Sequence, residues 1–406
     1  MRIVRISTRN IGFDRPPATL ERHLVTSASQ FEDFRNRPAG WFGDVVFTLV
    51  EVEASNGVVG FGTAGGFQGG SKALIDSYYA ELVLGEDPRR HEHLWQRMYR
   101  TTLRFGRSGT AMAAIAGIDI ACWDLHGKLL GVPAYELMGG AARTAAPCYV
   151  SRLYALHDLD ELAEEAREWC RQGFRSMKQR FGFGPADGVE GMKRNAELVR
   201  TVRKAVGDDV ELSCDAYMGW DVGYAIQMAH RLREFGLSWI EEPLAAHDLS
   251  GYEELKRRCP WQRWSAGEHL YSKWEFKDLL SCRAVDIIQP DANRCGGITE
   301  MLKICAMAEA AGLPVAPHSN EAHNLAVVFS QTPHVCPVIE YFPPVEPDTG
   351  NELFWKVFSG NPRAEDGQIS IPRGPGLGLE LNGETVARLQ AGPESVHRWA
   401  ESAAPR

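Results

Sequence analysis

Residues 211–269 carry the clearest structural pattern of the chain: ELSCDAYMGWDVGYAIQMAHRLREFGLSWIEEPLAAHDLSGYEELKRRCPWQRWSAGEH. Three short apolar runs, at 211–216, 238–243 and 263–269, alternate here with helical periodicity at 221–235 and 248–258. Each apolar run ends in acidic residues. Parallel strands need long crossover connections, which are usually helices, so this rhythm predicts consecutive βαβ units.

The same alternation extends in both directions, from about residue 145 to about residue 345. Helical stretches at 158–172 and 188–206 precede the quoted segment. The further strand-like runs are APCYVS (146–151), SMKQRF (176–181), VDIIQPDA (285–292), LPVAPHS (313–319) and PVIEYF (337–342). Eight strands that alternate with helices predict an α/β fold of the (β/α) barrel type, and a doubly wound open sheet is the structural alternative.

The first 140 residues have a different order, with strands before helices. A strand-like run at 2–8 leads into a polar and aromatic stretch, 14–43, which we interpret as a loop. Two further strand runs, 44–55 and 58–64, flank Asn56-Gly57, a strong hairpin signal. The pattern is then helical from Leu74 to Leu130, which predicts an α+β unit. The tail IPRGPGLGLELN (371–382) is interpreted as an irregular segment that returns to this first unit.

Bulk composition limits the possible functions. A chain of 406 residues exceeds the usual size of one hydrophobic core and predicts two domains. A net charge of -9 and a pI of about 5.8 argue against general affinity for nucleic acid or an anionic membrane. Nine scattered cysteines without metal-site spacing, and no long apolar run, predict a cytoplasmic protein with reduced thiols.

Charged side chains stand near the carboxyl ends of the strand runs, which meet at one mouth in a barrel. Asp215, Glu241 and Glu268 occupy three successive strands. Three carboxylates at one site would repel each other, and a divalent cation is the simplest way to neutralise them. Oxygen ligands with room for water and substrate favour Mg²⁺. Ion pairs with nearby Lys and Arg are the alternative.

Asp291 and His318 end the sixth and seventh strands. A carboxylate that accepts from one ring nitrogen would orient the imidazole and leave the other nitrogen as a general base. A histidine at a strand end can also be a purely structural hydrogen-bonding residue. The neighbouring carboxylates favour the catalytic interpretation.

These residues resemble the mandelate racemase branch of the enolase superfamily, over nearly the whole chain. The matching blocks are AAIAGIDIACWDLHGKLLGVPAYELMGG (113–140), CDAYMGW (214–220), WIEEP (239–243), AGEH (266–269), IIQPDANRCGGITE (287–300), PHS (317–319) and VIEYF (338–342). The resemblance implies a modified (β/α)7β TIM-like barrel at 141–345, an N-terminal α+β capping domain at 1–140, and a C-terminal segment at 346–406 that returns to the cap.

The resemblance also implies residue roles. Asp215, Glu241 and Glu268 would be the Mg²⁺ ligands, and Asp291 with His318 the acid–base dyad. A further residue, Glu340, would hydrogen-bond the substrate carboxylate. Together these groups would stabilise the enediolate that forms when the proton α to a carboxylate leaves.

One departure from the family decides the reaction class. Racemases of this type carry Lys-x-Lys on the second barrel strand, whereas this chain has Lys178-Gln179-Arg180. Arginine is almost never a neutral base, so the face opposite His318 lacks one. Elimination needs only one face. With this departure, the blocks CGGITE (295–300) and GEHLYSKWEFKDLL (267–280) resemble those of L-rhamnonate dehydratases. The resemblance implies a hydro-lyase that converts a sugar acid to its 2-keto-3-deoxy acid, in which Lys178 and Arg180 bind substrate or balance the carboxylates.

The capping loop would decide which sugar acid is used. His23 and Trp41 are the candidate substrate contacts in this loop, with Arg22, Arg35 and Arg37 beside them. Relatives also suggest a homo-oligomer. A racemase or epimerase on the same scaffold and a non-catalytic sugar-acid-binding protein remain the alternatives.

Overall fold

The computed structural model describes residues 1–12, 22–35, 45–65, 69–156, 158–345 and 353–400. Its N-terminal strands are β1 Ile3–Gly12, β2 Arg22–His23, β3 Val45–Ala54 and β4 Val59–Gly65. The helices of this part are α1 Glu32–Arg35, α2 Gly70–Leu74, α3 Ala80–Val83, α4 His91–Thr102 and α5 Thr110–Leu130, with a π-helical segment at Ile75–Tyr79.

The central part alternates strands and helices. The strands are β5 Ala145–Ser151, β6 Ala155–Leu156, β7 Ser176–Arg180, β8 Glu211–Asp215, β9 Ile240–Glu241, β10 Trp264–Ala266, β11 Ile287–Ile288 and β12 Ile339–Tyr341. The helices are α6 Leu159–Arg171, α7 Gly188–Val206, α8 Val222–Leu232, α9 Leu249–Arg258, α10 Ser272–Cys282, α11 Ala292–Cys295, α12 Ile298–Ala311 and α13 Ala322–Ser330. The C-terminal elements are α14 Leu353–Val357, β13 Phe358–Ser359, β14 Ala364–Glu365, β15 Gln368–Ser370, β16 Glu380–Leu381, α15 Gly383–Leu389 and β17 Ser395–Arg398.

The first unit is an antiparallel sheet in the order β17-β1-β3-β4, covered by α5. The helix lies directly on β4 because glycines remove the side chains between them: a Cβ at Gly60 or Gly62 would come within 2.2 Å of a carbonyl oxygen of α5. Helix α5 is buried on most sides, as expected for its run of alanine and isoleucine. The strand β17 brings the C-terminal part of the chain to this sheet.

The barrel is a parallel sheet in the order β11-β10-β9-β8-β7-β5, and β12 pairs with β5 in parallel to continue around the circle. The seventh strand position is represented by Val315, which bridges Ile288. Apolar strand residues and the inner faces of the surrounding helices form one large core, and Tyr149, Trp239, Ile287 and Ala316 form a separate small cluster. The carboxyl ends of the strands consequently meet on one side, facing the cap.

The fold predicted from sequence is confirmed: an α/β barrel with an N-terminal α+β cap. The helices at 159–171, 188–206, 222–232 and 249–258 lie where periodicity places them, and Asn56-Gly57 connects β3 to β4. The interpretation of 14–43 as a loop is wrong for its described part, where β2 pairs with β6 and α1 follows a 3-10 turn. These elements are short and depend on contacts with the barrel, so local periodicity does not reveal them.

A buried hydrogen-bond cluster joins the cap to the barrel. Asp119 of α5 accepts from the backbone N–H of Thr299 at 2.9 Å and from its hydroxyl at 2.5 Å. The indole of Trp123 donates to the same hydroxyl at 2.9 Å. Asp119 thus caps the first turn of α12 from the other domain, since the residue before that helix is Gly297 and has no side chain to do so.

We expect Asp119→Ala to lower the free energy of unfolding by about 3 kcal/mol, because it leaves two buried donors unpaired. Asp221→Ala is the control: Asp221 caps α8 by accepting from Tyr224 N at 2.8 Å within the barrel, and its loss should cost about 1 kcal/mol. Urea titrations of both variants measure the difference. An equal or smaller loss for Asp119→Ala would show that the cluster does not hold the two units together.

Among the helices within the described ranges, none has the length and apolar character that a membrane crossing requires.

Candidate active site

Three fully buried carboxylates meet at the carboxyl end of the barrel. Asp215 and Glu241 are the last residues of β8 and β9, and Glu268 follows β10 by two residues. Potential ligand atoms of all three lie within 4.8 Å of one another. This set offers oxygen ligands only and is at most 2% exposed, which fits a hard divalent cation such as Mg²⁺.

Two cations of β7 neutralise part of this cluster. The Lys178 ammonium lies 2.5 Å from Glu241 Oε1, 2.6 Å from Glu340 Oε1 and 3.9 Å from Asp215 Oδ2. The Arg180 guanidinium pairs with Asp215 and also donates to Ser151 Oγ at 2.9 Å. All of these charged groups are buried, so each depends on its partners for stabilisation.

Glu241 is held by neutral donors as well. Its Oε2 accepts from the Trp239 indole at 3.1 Å and from the Gln289 amide at 2.6 Å. Burial raises the pKa of Glu241, and the charge of Lys178 only partly offsets that. The carboxylate is therefore fixed in orientation while its charge remains incompletely compensated, which favours additional positive charge at this point.

An imidazole lies across from the carboxylates. His318 Nδ1 is 3.0 Å from Asp291 Oδ2, and His318 Nε2 is 3.7 Å from Glu268 Oε1. Burial lowers the pKa of His318, but the charge of Glu268, with Asp291 and Glu340, outweighs burial and raises it to about 9. Among the neighbouring charges, that of Glu268 affects the proton affinity of this ring most.

The two carboxyl groups nearest His318 are held ionised. Burial alone would raise the pKa of Asp291, yet its bond to His318 and the charge of that ring lower it to about 2. The pKa of Glu268 likewise falls well below its usual value, because His318, His269 and Arg294 outweigh burial. Arg294 donates to Glu268 Oε1 at 2.9 Å. Asp291 can therefore act as a fixed acceptor for Nδ1, which leaves Nε2 directed at the carboxylate cluster.

Comparison with known proteins shows the family to which the chain belongs. Residues 40–139 match the family model described as the mandelate racemase / muconate lactonizing enzyme N-terminal domain, and residues 161–386 match the model described as enolase C-terminal domain-like. The second match alone covers more than half of the chain. The chain belongs to the mandelate racemase branch of the enolase superfamily.

Individual relatives in this superfamily are similar over nearly their full length. An L-rhamnonate dehydratase of Saccharopolyspora erythraea is 35% identical over 373 residues, which cover 91% of this chain and 92% of the relative. The crystal structure of rhamnonate dehydratase from Gibberella zeae complexed with Mg has a TM-score of 0.85 at 32% identity, with 96% of both chains covered. An L-talarate dehydratase from a Polaromonas species, complexed with Mg and L-glucarate, has a TM-score of 0.78 at 28% identity, with 98% and 99% covered.

Eight of the candidate site residues that were identified from the sequence lie together in the structure. They are Lys178, Arg180, Asp215, Glu241, Glu268, Asp291, His318 and Glu340, and each is at most 6% exposed. The ion pairs considered as an alternative for Lys178 and Arg180 are present. His23 lies in β2, but its side chain lies outside the described part of the structure. Trp41 and Arg37 lie entirely outside it, and so does the side chain of Arg35.

A second group of potential ligands adjoins the first. Glu242, Glu268 and His269 also have ligand atoms within 4.8 Å of one another. In this group Glu242 Oε2 is already bonded to His269 Nδ1 at 2.7 Å, and Arg294 lies 3.5 Å from His269 Nε2. Mg²⁺ prefers oxygen ligands, so the all-carboxylate group fits it better.

Sequence reasoning missed the residues that support the site from behind. Gln289, Trp239 and Arg294 contact the carboxylates, and Asn324 contacts the dyad. Gln289, Arg294 and Asn324 are polar residues within or beside apolar runs, and Asn324 in HNLAVVF is the clearest case. A buried polar residue needs hydrogen-bond partners, so the place of Asn324 in an apolar run could have predicted a hydrogen-bonding role.

Proposed function

We propose that the chain is a Mg²⁺-dependent sugar-acid dehydratase that converts an aldonate of the L-rhamnonate type to its 2-keto-3-deoxy acid. The observation that carries this proposal is the His318–Asp291 pair, placed on one side of the Asp215–Glu241–Glu268 cluster with an arginine where racemases carry a second lysine. The dehydratase names of the similar proteins support it.

Asp215, Glu241 and Glu268 would hold the metal ion. When bound, Mg²⁺ supplies positive charge that stabilises the enediolate form of the substrate carboxylate and offsets the effect of Glu268 on His318. Gln289 and Trp239 keep Glu241 in place, and Arg294 keeps Glu268 in place.

His318 performs the proton transfers. Its Nε2 accepts the α-proton, and the pair of electrons from that C–H bond delocalises into the carboxylate to give the enediolate. The imidazolium then donates the proton to the β-hydroxyl as its C–O bond breaks and the carbon–carbon double bond forms, so that water is lost and an enol remains. The enol becomes the 2-keto-3-deoxy acid. Asp291 keeps the proton on Nδ1 and so fixes which ring nitrogen reacts.

The substrate carboxylate needs cationic and hydrogen-bonding partners. Lys178 and Arg180 are the buried cations next to the cluster, and Glu340 forms an ion pair with Lys178 and accepts from Ser319 N at 3.0 Å. We assign Lys178 and Arg180 to carboxylate binding as cations, and Glu340 as a hydrogen-bond donor to the carboxylate when it is protonated. His23 and Trp41 are proposed as contacts to the distal hydroxyls, on the basis of their place in the capping loop.

Turnover of a panel of sugar acids tests this function. Aldonates and aldarates, with L-rhamnonate among them, are incubated with the protein and MgCl₂, and 2-keto-3-deoxy acids are detected by semicarbazone absorbance and NMR. We expect product from an aldonate of the L-rhamnonate type and none after chelation with EDTA. Binding of an acid without product would instead support the non-catalytic sugar-acid-binding alternative.

Proton exchange distinguishes dehydration from racemisation. The Lys178 ammonium is held between Glu241 and Glu340, which raise its pKa above the ordinary value despite burial, so it is poorly suited to be a second base. We expect partial turnover in D₂O to leave substrate in its starting configuration, as measured by NMR and polarimetry. Recovery of substrate in both configurations would mean that Lys178 or Arg180 acts as a base and that the protein is a racemase or epimerase.

We place the capping domain at 1–140, the barrel at 141–345 and the returning segment at 346–406, which the pairing of β17 with β1 supports. We propose a cytoplasmic homo-oligomer that binds neither nucleic acid nor membrane. The net charge of -9 and nine free cysteines support the location and the absence of those partners.

A further inference from the structure

Backbone pairing is limited at the ends of the strands that carry the dyad. The bond from His318 N to Pro290 O, at 3.0 Å, links the two strand ends next to Asp291. Proline has no N–H, so neither Pro290 nor Pro317 can donate a hydrogen bond to the neighbouring strand. The distance between Asp291 and His318 therefore depends on side-chain bonds as well as on the sheet.

One buried amide connects both strand ends. Asn324, in the first turn of α13 and completely buried, accepts from Ala292 N at 3.0 Å. Its amide nitrogen lies 2.7 Å from His318 O and 3.3 Å from Asp291 Oδ1. Since a backbone N–H can only donate and a carbonyl can only accept, these two backbone partners fix the orientation of the amide.

The same amide holds the turn after the histidine. Ser319 adopts a left-handed conformation, with φ of 69°, which is unfavourable for a residue with a side chain. Its hydroxyl lies 3.1 Å from Asn324 Nδ2, and its N–H donates to Glu340. Bonds on both sides of Ser319 thus stabilise the backbone that directs the imidazole of His318.

We propose that Asn324 is a positioning residue that sets the distance and orientation between Asp291 and His318. It touches neither the carboxylate cluster nor Lys178 and Arg180 in the described contacts, so it acts through the dyad and the turn at Ser319. The proposal rests on the proposed function, in which His318 transfers the proton. Loss of the amide lets His318 and Asp291 shift relative to each other while the cation site stays intact.

Asn324→Asp is the first test, because aspartate keeps the shape and the acceptor for Ala292 N but replaces the donor that faces His318 O. We expect kcat to fall about 100-fold, the effect of a displacement near 1 Å at a reacting group. KM and the affinity for Mg²⁺ should each change less than about 3-fold. Asn324→Ala, which adds no charge, should likewise lower kcat with little change in KM or in the affinity for Mg²⁺. It replaces the first variant if that variant does not fold.

A signal that does not need turnover accompanies the kinetics. The proton on His318 Nδ1, bonded to Asp291, should give a downfield proton NMR resonance that disappears in His318→Asn. We expect this resonance to shift or broaden in both Asn324 variants. Asn195→Ala is the control, since Asn195 is equally buried and bonds Gly182 and Phe183 but not the dyad.

The control should lose thermal stability while kcat and the resonance stay close to those of the parent protein. Unchanged kcat and an unchanged resonance in the Asn324 variants would overturn the positioning role. If the parent protein shows no dehydration, the proposed function fails, and the resonance still decides whether Asn324 orders the dyad.

Discussion

His318→Asn is expected to lower kcat by about 10,000-fold or more, the upper range for loss of a general acid–base group. The effect is this large because one imidazole both accepts the α-proton and returns it to the leaving hydroxyl. Asparagine can still hydrogen-bond Asp291, so the surrounding structure should persist. Affinity for Mg²⁺ should be preserved, since His318 Nε2 lies 3.7 Å from Glu268 without being a member of the carboxylate cluster.

His91→Asn is the control for this variant. His91 stacks on Trp123 in the cap, with ring centroids 3.9 Å apart, and bonds His126, away from the barrel mouth. Its replacement should alter kcat only a few-fold. Steady-state kinetics and calorimetric Mg²⁺ titration measure both quantities, and near-normal turnover of His318→Asn would mean that another group transfers the proton.

Glu268→Gln is expected to weaken Mg²⁺ binding by more than about 100-fold. Mutation of a residue that only hydrogen-bonds a metal ligand already lowers metal affinity by about 10- to 100-fold, and Glu268 is itself a ligand in this proposal. The variant removes one of three charges from the cluster and the charge that most affects His318. Turnover should therefore be lost at millimolar Mg²⁺. Calorimetry with the metal alone measures the affinity without reference to activity.

A matched control is another buried glutamate that lies outside the cluster. Glu300 of α12 is completely buried and forms an ion pair with Lys273 of α10 at 3.0 Å. Glu300→Gln should lower stability and leave the Mg²⁺ affinity unchanged. Equal affinities for Glu268→Gln and the parent protein would place the ion elsewhere.

Much of this fold follows from periodicity. Strands buried on both sides give continuous apolar runs, and their polar ends mark the barrel mouth, which is why Asp215 and Glu241 could be located by sequence position alone. The hairpin at Asn56-Gly57 depends on two adjacent residues and could also be predicted from the sequence. These features are local, or repeat at a fixed spacing.

Features that depend on contacts between residues far apart in the chain could not be predicted from sequence periodicity. The Lys178 ammonium contacts Glu241 and Glu340, 63 and 162 positions away, and only the closed barrel brings them together. Asn324 joins two strand ends through an adjacent helix, and Asp119 caps a helix of the other domain. Pairings of this kind are set by topology rather than by propensity.

A crystal structure of the protein with Mg²⁺ and an unreactive sugar-acid analogue tests the central claim most directly. The account predicts one ion bound by Asp215, Glu241 and Glu268, with the analogue carboxylate next to it and His318 Nε2 facing the α-carbon. An ion bound by other residues, or an imidazole turned away from the α-carbon, would contradict it.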